Sequence, residues 1–293
     1  MMGPFKVKDG LHQEFAKPMS PKEFDRLSEF IIDHCGIKMP PAKKIMLESR
    51  LQKRLRSLGM ASFREYCELL FNSPEGNGEL VHMIDAVTTN KTDFFREPVH
   101  FQFLTETALP EFLAESGFGS RQKFIIWSAG CSSGEEPYTL AMVLDEYALP
   151  HPDFQYSILA TDISTRVLEK ACSGIYDQHL VEGIPHSFKQ KYFLRSKDRE
   201  KRLVRVVPEL RSRISFQRVN LMDENLIIPK KVDAIFCRNV IIYFERATQY
   251  KLLSRLCQSL KTGGYLFLGH SETVHGFDLP LVRIASTIYR KMS

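Results

Sequence analysis

The feature that most constrains the fold is an alternation of short apolar runs with helical patterns from residue 123 onward. The apolar runs are FIIWSA, YSILATD, ISFQRV, VDAIFC and YLFLGHS, and the helical patterns cover 136–147, 165–172 and 246–260. Such alternation predicts an α/β fold, in which helices cover both faces of a mostly parallel sheet. The tail LVRIASTIYRKM is rich in β-forming residues and is expected to add antiparallel edge strands.

The residues before this region predict an all-helical N-terminal domain over 20–88. SPKE at Ser20 and SFRE at Ser62 are capping boxes, in which a serine and a glutamate three residues later bind first-turn backbone amides. Helices are expected from Ser20 to Gly36, from Pro41 to Gly59, from Ser62 onward, and over 79–87. Residues 1–19 are expected to form a flexible tail.

Composition limits the class of protein. The 293 residues, 43% of them hydrophobic and 26% charged, suit one large globular domain or two smaller ones. Neither a membrane span nor a signal peptide is visible, so we expect a cytoplasmic protein. Six cysteines without a C-x-x-C pair or a histidine cluster predict reduced thiols and no metal site. A net charge of +5 permits a nucleic acid or an acidic protein as partner and indicates neither.

The motif WSAGCSSGEEPYTLAM, residues 127–142, places a glycine turn between an apolar run and a helix. In open α/β sheets such a turn lies at the ligand crevice. The turn lacks the Lys-Ser/Thr ending of a phosphate loop, and Glu135 and Glu136 would repel a pyrophosphate. S-adenosylmethionine carries an ammonium and a sulfonium and no phosphate, so acids at this turn favour it as the cofactor. The alternatives are that one glutamate only stabilises the helix N-terminus, and that the turn is only tight packing.

Polar residues follow three other predicted strands. Asp162 ends YSILATD, where an acid is placed to bind ribose hydroxyls, although it would also suit the N-cap of the next helix. Asn220 and Leu221 follow ISFQRV and are expected to line the adenine. Arg238–Asn239, and then Tyr243, follow VDAIFC, and they are expected to face the ligand unless Arg238 is a surface charge.

The linker TTNKTDFFREPVHF, residues 88–101, precedes the sheet region. Phe94 and Phe95 are expected to be core residues. Asn90, Thr92 and Arg96 are expected to close the cofactor pocket as a lid.

Five of these motifs, TTNKTDFFRE, WSAGCSSGEEPYTLAM, ATDIS, RVNL and FCRNVIIYF, resemble in content and order those of the chemotaxis receptor glutamate O-methyltransferases, the CheR type. The resemblance spans about 20–290. It implies a Rossmann-like S-adenosylmethionine-dependent methyltransferase domain over 99–293, with a small antiparallel β-subdomain inserted at about 176–212. It also implies the helical domain over 20–88 and a linker over 89–98 that contributes to the cofactor site.

The resemblance also implies roles for individual residues. Glu135 would bind the methionyl ammonium and Asp162 the ribose, and Gly130 of the glycine turn would also contact the cofactor. The other cofactor-binding residues would be Asn90, Thr92, Arg96, Asn220, Leu221, Arg238 and Asn239. Tyr243 would lie near the transferring methyl, and Arg96 or Arg238 would orient the substrate carboxylate, so the catalytic set is Arg96, Tyr243 and Arg238.

The reaction implied is methyl transfer to glutamate side chains of methyl-accepting chemotaxis receptors, giving methyl esters and S-adenosylhomocysteine. A glutamate carboxylate is a nucleophile at neutral pH, so no general base is required. Two alternatives are a nucleic-acid methyltransferase and a non-catalytic cofactor-binding signalling module. The stretch from Cys237 to Val240 lacks the Asn/Asp-Pro-Pro-Tyr motif of adenine methylases, so we expect no nucleic acid as partner.

Two regions are candidates for receptor contact. Lys43, Arg50 and Arg54 lie seven and four residues apart, on one face of the helix from 41 to 58, unless this is an ordinary solvated face. The insert contains KYFLRS and RLVRVV around the charged segment KDREK, and in some relatives the subdomain binds a peptide at the receptor C-terminus. Because this loop is charged and lacks glycine, we expect a member that does not bind the peptide. We also expect the protein to be a monomer.

Overall fold

The computed structural model describes residues 17–116, 123–223 and 231–292. The chain divides into two compact units. The helical unit comprises Met1–Phe30 and Met39–Val87, and the sheet unit comprises Ile31–Lys38 and Thr88–Ser293. The predicted flexible tail falls outside the described residues, except for 17–19.

The helical unit is built from helices that bury one apolar face each. Its helices are α1 (Pro21–Cys35), a 3₁₀ turn (Pro41–Lys43), α2 (Lys44–Leu58), α3 (Phe63–Asn72) and α4 (Gly76–Val87). The serine caps of both predicted boxes are confirmed, since the Ser20 and Ser62 hydroxyls accept from the amides of Glu23 and Glu65 at 3.3 Å. The Glu23 carboxylate accepts in return from the Ser20 amide, whereas the Glu65 carboxylate accepts from the Ala61 amide. The helix predicted over 79–87 begins three residues earlier, at Gly76.

The sheet unit alternates strands with helices as its sequence predicts. Its first elements are α5 (Val99–Phe103), a π turn (Leu104–Ala108), α6 (Leu109–Ser116), β1 (Lys123–Ala129), α7 (Glu135–Ala148), β2 (Gln155–Asp162) and α8 (Thr165–Ser173). The inserted segment follows with β3 (Ile175–Asp177), a 3₁₀ turn (Gln178–Val181), α9 (His186–Tyr192), β4 (Phe193–Arg195), a 3₁₀ turn (Arg199–Lys201), β5 (Leu203–Val206) and α10 (Pro208–Arg211). The last elements are β6 (Ile214–Arg218), β7 (Val232–Cys237), a 3₁₀ turn (Ile241–Tyr243), α11 (Arg246–Ser259), β8 (Leu260–Leu268), β9 (Leu281–Ala285) and β10 (Ile288–Lys291).

Within the described residues, seven strands form one sheet in the order β6-β2-β1-β7-β8-β10-β9. The first five are parallel, and the tail strands β10 and β9 add antiparallel, which confirms the α/β prediction. Chain order reverses between β1 and β7, because β2 and β6 lie on one side of β1 and β8 lies on the far side of β7. The ligand crevice of such a sheet lies outside the carboxyl ends of the strands at this reversal.

The inserted segment forms a separate antiparallel sheet, with the order β3-β5-β4 in the described part of the chain. The sequence predicts only a hairpin of KYFLRS and RLVRVV. The third strand is IYD, which pairs Tyr176 with Val204 and is too short to give an alternating pattern.

Two features of the sheet unit have no counterpart in the sequence analysis. One is the helical stretch 99–116, whose aromatic residues join the core of the sheet. The other is the segment Ile31–Lys38, which groups with the sheet unit because Ile37 bridges Phe244 and the His34 carbonyl accepts from Asn220. Across the described ranges, no helix combines the length and the apolar character needed to span a membrane.

Candidate active site

The glycine turn after β1 lies at the reversal point. Gly130 has a φ of +81°, and the amides of Gly130 and Cys131 both donate to the Thr161 carbonyl, at 2.8 and 2.9 Å. A Cβ on Gly130 would lie 2.5 Å from the Val240 side chain. A side chain at Gly130 would therefore be disfavoured by both conformation and space, and the turn packs directly on the loop that follows β7.

Asp162 connects this turn to the end of β2. Its carboxylate accepts from the Ser132 amide at 2.8 Å and from the Ser164 amide at 2.9 Å. The N-cap of α8 is Ser164 rather than Asp162, which removes the alternative role considered for the acid. Through these two bonds the Asp162 carboxylate fastens the glycine turn to the end of β2.

The two adjacent glutamates of the turn have different partners. Glu136 accepts from the Ser128 hydroxyl at 2.6 Å and pairs with Arg238 at 3.1 Å. Glu135 is 3% exposed and accepts from the Ser133 hydroxyl. Burial raises the pKa of Glu135, and the Ser133 hydroxyl and the charge of Lys170 offset this only in part. Within the described ranges no basic side chain forms an ion pair with Glu135. Glu135 is thus the buried acid whose charge is left for a ligand to balance.

Arg238 is the centre of a buried ionic cluster. Its side chain is 3% exposed, and the guanidinium binds Glu136 on one side and Glu97 on the other, at 3.1 and 3.2 Å. It also donates to the Arg96 carbonyl. Arg238 is therefore not a surface charge, and with its donors engaged inside the protein it is poorly placed to orient a substrate carboxylate directly.

Glu97 and His100 complete this cluster. Burial tends to raise the pKa of Glu97, but the charge of Arg238 and the amide of His270 together lower it. His100 Nδ1 lies 3.5 Å from the Glu97 carboxylate and has no hydrogen-bond partner among the described residues, while Nε2 contacts the Thr287 hydroxyl at 2.9 Å. Burial lowers the pKa of His100 to about 4, so the ring is neutral at neutral pH.

The predicted linker residues border the same turn. The Asn90 carbonyl accepts from the Ser132 hydroxyl at 2.9 Å, which attaches the linker to the glycine turn. Thr92 is half-buried, and Arg96 is half-buried with its guanidinium donating to the Lys91 carbonyl. Phe94 and Phe95 pack against the apolar core, as predicted.

The residues after β6 and β7 are anchored by different means. The Asn220 amide group donates to the His34 carbonyl at 2.6 Å and its oxygen accepts from the Met222 amide, so its side chain is bound locally. Leu221 joins the apolar cluster beneath β1 and β7. Tyr243 is half-buried, and its backbone carbonyl accepts from Lys38 at 2.8 Å.

The basic residues of the helical unit are partly engaged within that unit. Arg50 donates to the Val87 carbonyl, and Arg54 binds Glu79 through two nitrogen atoms. Glu79 is 5% exposed on its side chain, so Arg54 neutralises a buried charge. Lys43 lies in the 3₁₀ turn before α2 and is half-buried.

Sequence reasoning missed two carboxylates of this site, Glu97 and Glu272. Glu97 lies inside the quoted linker motif but was not distinguished from its exposed neighbours. Glu272 lies four residues beyond the end of β8 and is 4% exposed. The one sequence signal is at Glu272, which follows the apolar run of β8 as Asp162 follows that of β2, but its partners lie too far away in the chain to be predicted.

The donor set fits S-adenosylmethionine better than a phosphate ligand. Glu135 is a buried acid with no ion pair in the described residues, Asp162 is an acceptor at the end of β2, and Glu136 has its own internal counter-ion. A parallel sheet with such an acidic glycine turn at the strand reversal defines the class of S-adenosylmethionine-dependent methyltransferases.

Comparison with known families narrows the class. Residues 90–289 match the family model for the CheR methyltransferase S-adenosylmethionine-binding domain, and residues 22–88 match that for the CheR all-alpha domain. The chain is similar to the chemotaxis protein methyltransferase of Borreliella burgdorferi, with 41% identity over 92% of this chain and 94% of the relative. It is also similar to that of Escherichia coli, with 39% identity over 92% of this chain and 91% of the relative. The chain belongs to the CheR methyltransferase family, and its cofactor is S-adenosylmethionine.

Proposed function

We propose that this protein methylates glutamate side chains of methyl-accepting chemotaxis receptors, giving glutamyl methyl esters and S-adenosylhomocysteine. The methyltransferase activity and its link to chemotaxis follow from the family, and the receptor glutamate is the finer assignment proposed here. We propose that the protein acts in the cytoplasm, as a monomer, on the helical domain of the receptor.

The observation that carries the residue assignment is the environment of Glu135. A buried carboxylate without an ionic partner costs folding free energy, which a cationic ligand would recover. We therefore assign Glu135 to the methionyl ammonium and Asp162 to the ribose. Asn90, Thr92, Asn220, Leu221 and Asn239 are assigned to the rest of the cofactor pocket, with Gly130 as the turn that admits the ligand.

The bound cofactor supplies an electrophilic methyl group on a sulfonium. The chain's residues have to position the acceptor carboxylate and exclude water, because a glutamate with a pKa near 4.3 is already ionised. Arg96 is proposed to orient that carboxylate, and Tyr243 to line the methyl position. Arg238 is proposed to act indirectly, since it binds the Arg96 carbonyl and fixes the segment that presents the Arg96 side chain.

The receptor-binding face is proposed to include Lys43, Arg50 and Arg54. Reversing Arg54 would place an acid beside Glu79 and disturb the helical unit, so this charge is better tested at Lys43. Lys43→Glu should raise the KM for receptor and leave the affinity for S-adenosylhomocysteine unchanged. Lys22→Glu, a reversal in the first turn of α1, is the matched control, and equal KM values for the two variants would remove Lys43 from the receptor contact.

The β3-β5-β4 sheet is proposed as a docking platform that does not bind a receptor C-terminal peptide. Support comes from its loop, the segment KDREK, which is highly charged and contains no glycine. Titration with receptor tail peptides tests this proposal. Binding at micromolar strength or tighter would reverse it.

The reaction itself is tested with labelled S-adenosylmethionine and receptor-containing membranes, followed by mild alkali. Methyl esters of glutamate release labelled methanol under these conditions, whereas N-methyl groups do not. Label that stays on the receptor after alkali, or that appears on nucleic acid instead, would contradict the proposal.

A further inference from the structure

The loop after β7 is held by a single buried carboxylate. Glu272 Oε2 accepts from the amides of Asn239 and Gly269, at 2.8 and 2.6 Å. Glu272 Oε1 accepts from the amides of Val240 and Ile242, at 2.8 and 3.3 Å. Four backbone donors from two different loops therefore meet on one side chain, which fills the acceptor capacity of a carboxylate.

The loop that Glu272 holds is confined on two further sides. A Cβ on Gly269 would lie 2.4 Å from the side-chain Nδ2 of Asn239 and 2.8 Å from its backbone nitrogen, and a Cβ on Gly130 would lie 2.5 Å from the Val240 side chain. Asn239 itself has a φ of +58°, a conformation that costs free energy for a residue other than glycine. The loop after β7 is thus confined by Gly130 on one side and by Gly269 on the other.

The same short segment also reaches the linker. The amide of His270 donates to the Glu97 carboxylate at 3.3 Å, and Glu97 in turn binds Arg238. Residues 269–272 therefore contact both segments assigned to the cofactor and the methyl position: the linker through Glu97 and the post-β7 loop through Glu272.

We infer that Glu272 is a positioning residue for methyl transfer, which sets the conformation of the loop carrying Asn239 and Tyr243. It touches backbone groups of that loop, so its effect on cofactor and substrate passes through the loop. The inference rests on the proposed placement of Asn239 and Tyr243 at the cofactor site. No other side chain in the described residues accepts from the amides of Asn239 and Val240.

Glu272→Gln is the direct perturbation. The glutamine amide group would present N–H donors to two of the four backbone N–H groups, whichever way it turned, and those two groups would lose their acceptor. We expect the affinity for S-adenosylhomocysteine, measured by calorimetry, to fall about ten- to a hundredfold. Hydrogen exchange should accelerate in the peptide covering 238–243 and stay unchanged in α11.

Glu245→Gln is the matched control, because Glu245 is exposed, lies two residues beyond Tyr243 and makes no capping hydrogen bond. This variant should keep its affinity for S-adenosylhomocysteine within twofold of the original protein. A second perturbation, Gly269→Ala, presses on Asn239 without changing the carboxylate and should lower the affinity in the same direction as Glu272→Gln.

The outcomes distinguish a failure of the positioning role of Glu272 from a failure of the proposed placement of Asn239 at the cofactor. Asn239→Ala should lower the affinity if Asn239 faces the cofactor. If it does so while folded Glu272→Gln keeps full affinity and normal exchange at 238–243, the positioning role is wrong and the placement stands. If neither variant changes the affinity, both are wrong. If Glu272→Gln fails to fold, Gly269→Ala decides, and full affinity in that variant overturns the positioning role.

Discussion

Replacing Glu135 by glutamine should weaken binding of the amino-acid portion of the cofactor and leave binding of its ribose and adenine unchanged. Glu135 is buried, is held by the Ser133 hydroxyl, and has a raised pKa because of burial, with no ion-pair partner in the described ranges. The glutamine keeps the size of the side chain and removes the charge. A hydrogen bond to a charged group contributes about 1.5–3 kcal/mol, so we expect the affinity for S-adenosylhomocysteine to fall about ten- to 150-fold.

A ligand that lacks the amino-acid portion provides the internal control. Methylthioadenosine keeps the adenine and ribose but has no ammonium, so its affinity for Glu135→Gln should equal that for the original protein. Asp162→Asn should instead weaken both ligands, because both carry the ribose. Calorimetry measures the affinity of both ligands for both variants and for the original protein. If Glu135→Gln lowers the affinity for both ligands equally, the ammonium assignment is refuted.

The stability of the ligand-free protein provides a second check, because Glu135→Gln should weaken ligand binding without destabilising the fold. The pKa of Glu135 is raised in the folded state, so its ionisation opposes folding increasingly as the pH rises above the unfolded value. Glu135→Gln removes that penalty and should be at least as stable as the original protein at pH 7. A clear loss of stability would mean that the acid is needed by the fold rather than by the ligand.

Three further changes test the helical unit and the buried ionic cluster. Ser62→Ala removes the N-cap of α3 and should lower the free energy of unfolding by about 1 kcal/mol in urea titrations; no change would remove the cap's contribution. Arg238→Met leaves the buried Glu97 and Glu136 unpaired and should cost about 3–5 kcal/mol of unfolding free energy, and a cost below that of the Ser62 cap would contradict the ionic cluster. The folded pKa of His100 is about 4, below the ordinary 6.5, so its stabilising effect is complete above pH 6.5 and is lost as the pH falls toward 4. His100→Gln should therefore flatten the loss of stability between these pH values, and an unchanged slope would mean that another group titrates there.

Local patterns predicted the elements well because their signals are contained in a few residues. The serine caps at Ser20 and Ser62, the parallel strands and the placement of the turn at the strand reversal are confirmed. The short strand Ile175–Asp177 was missed because three residues carry no period. Helical residues 99–116 were not predicted, because their apolar side chains pack on strands that come later in the chain.

The sequence predicted which residues belong to the site better than it predicted which partners their side chains bind. The sequence left open whether Arg96 or Arg238 orients the substrate carboxylate, because both lie in motifs that are expected to border the ligand crevice. The choice depends on Glu97 and Glu136, which approach Arg238 from separate segments. Likewise, nothing local indicates that Glu272 accepts from amides more than 30 residues earlier in the chain.

The chain contains one tryptophan, Trp127, and its position has a spectroscopic consequence. The indole is fully buried in β1, and its N–H donates to the Thr161 hydroxyl at 2.9 Å, in the residue whose carbonyl holds the glycine turn. Intrinsic fluorescence excited at the red edge therefore reports on the sheet unit, while circular dichroism sums the helices of both units. Recording both signals during one denaturant titration would show, without any label, whether the two units unfold together or in separate steps.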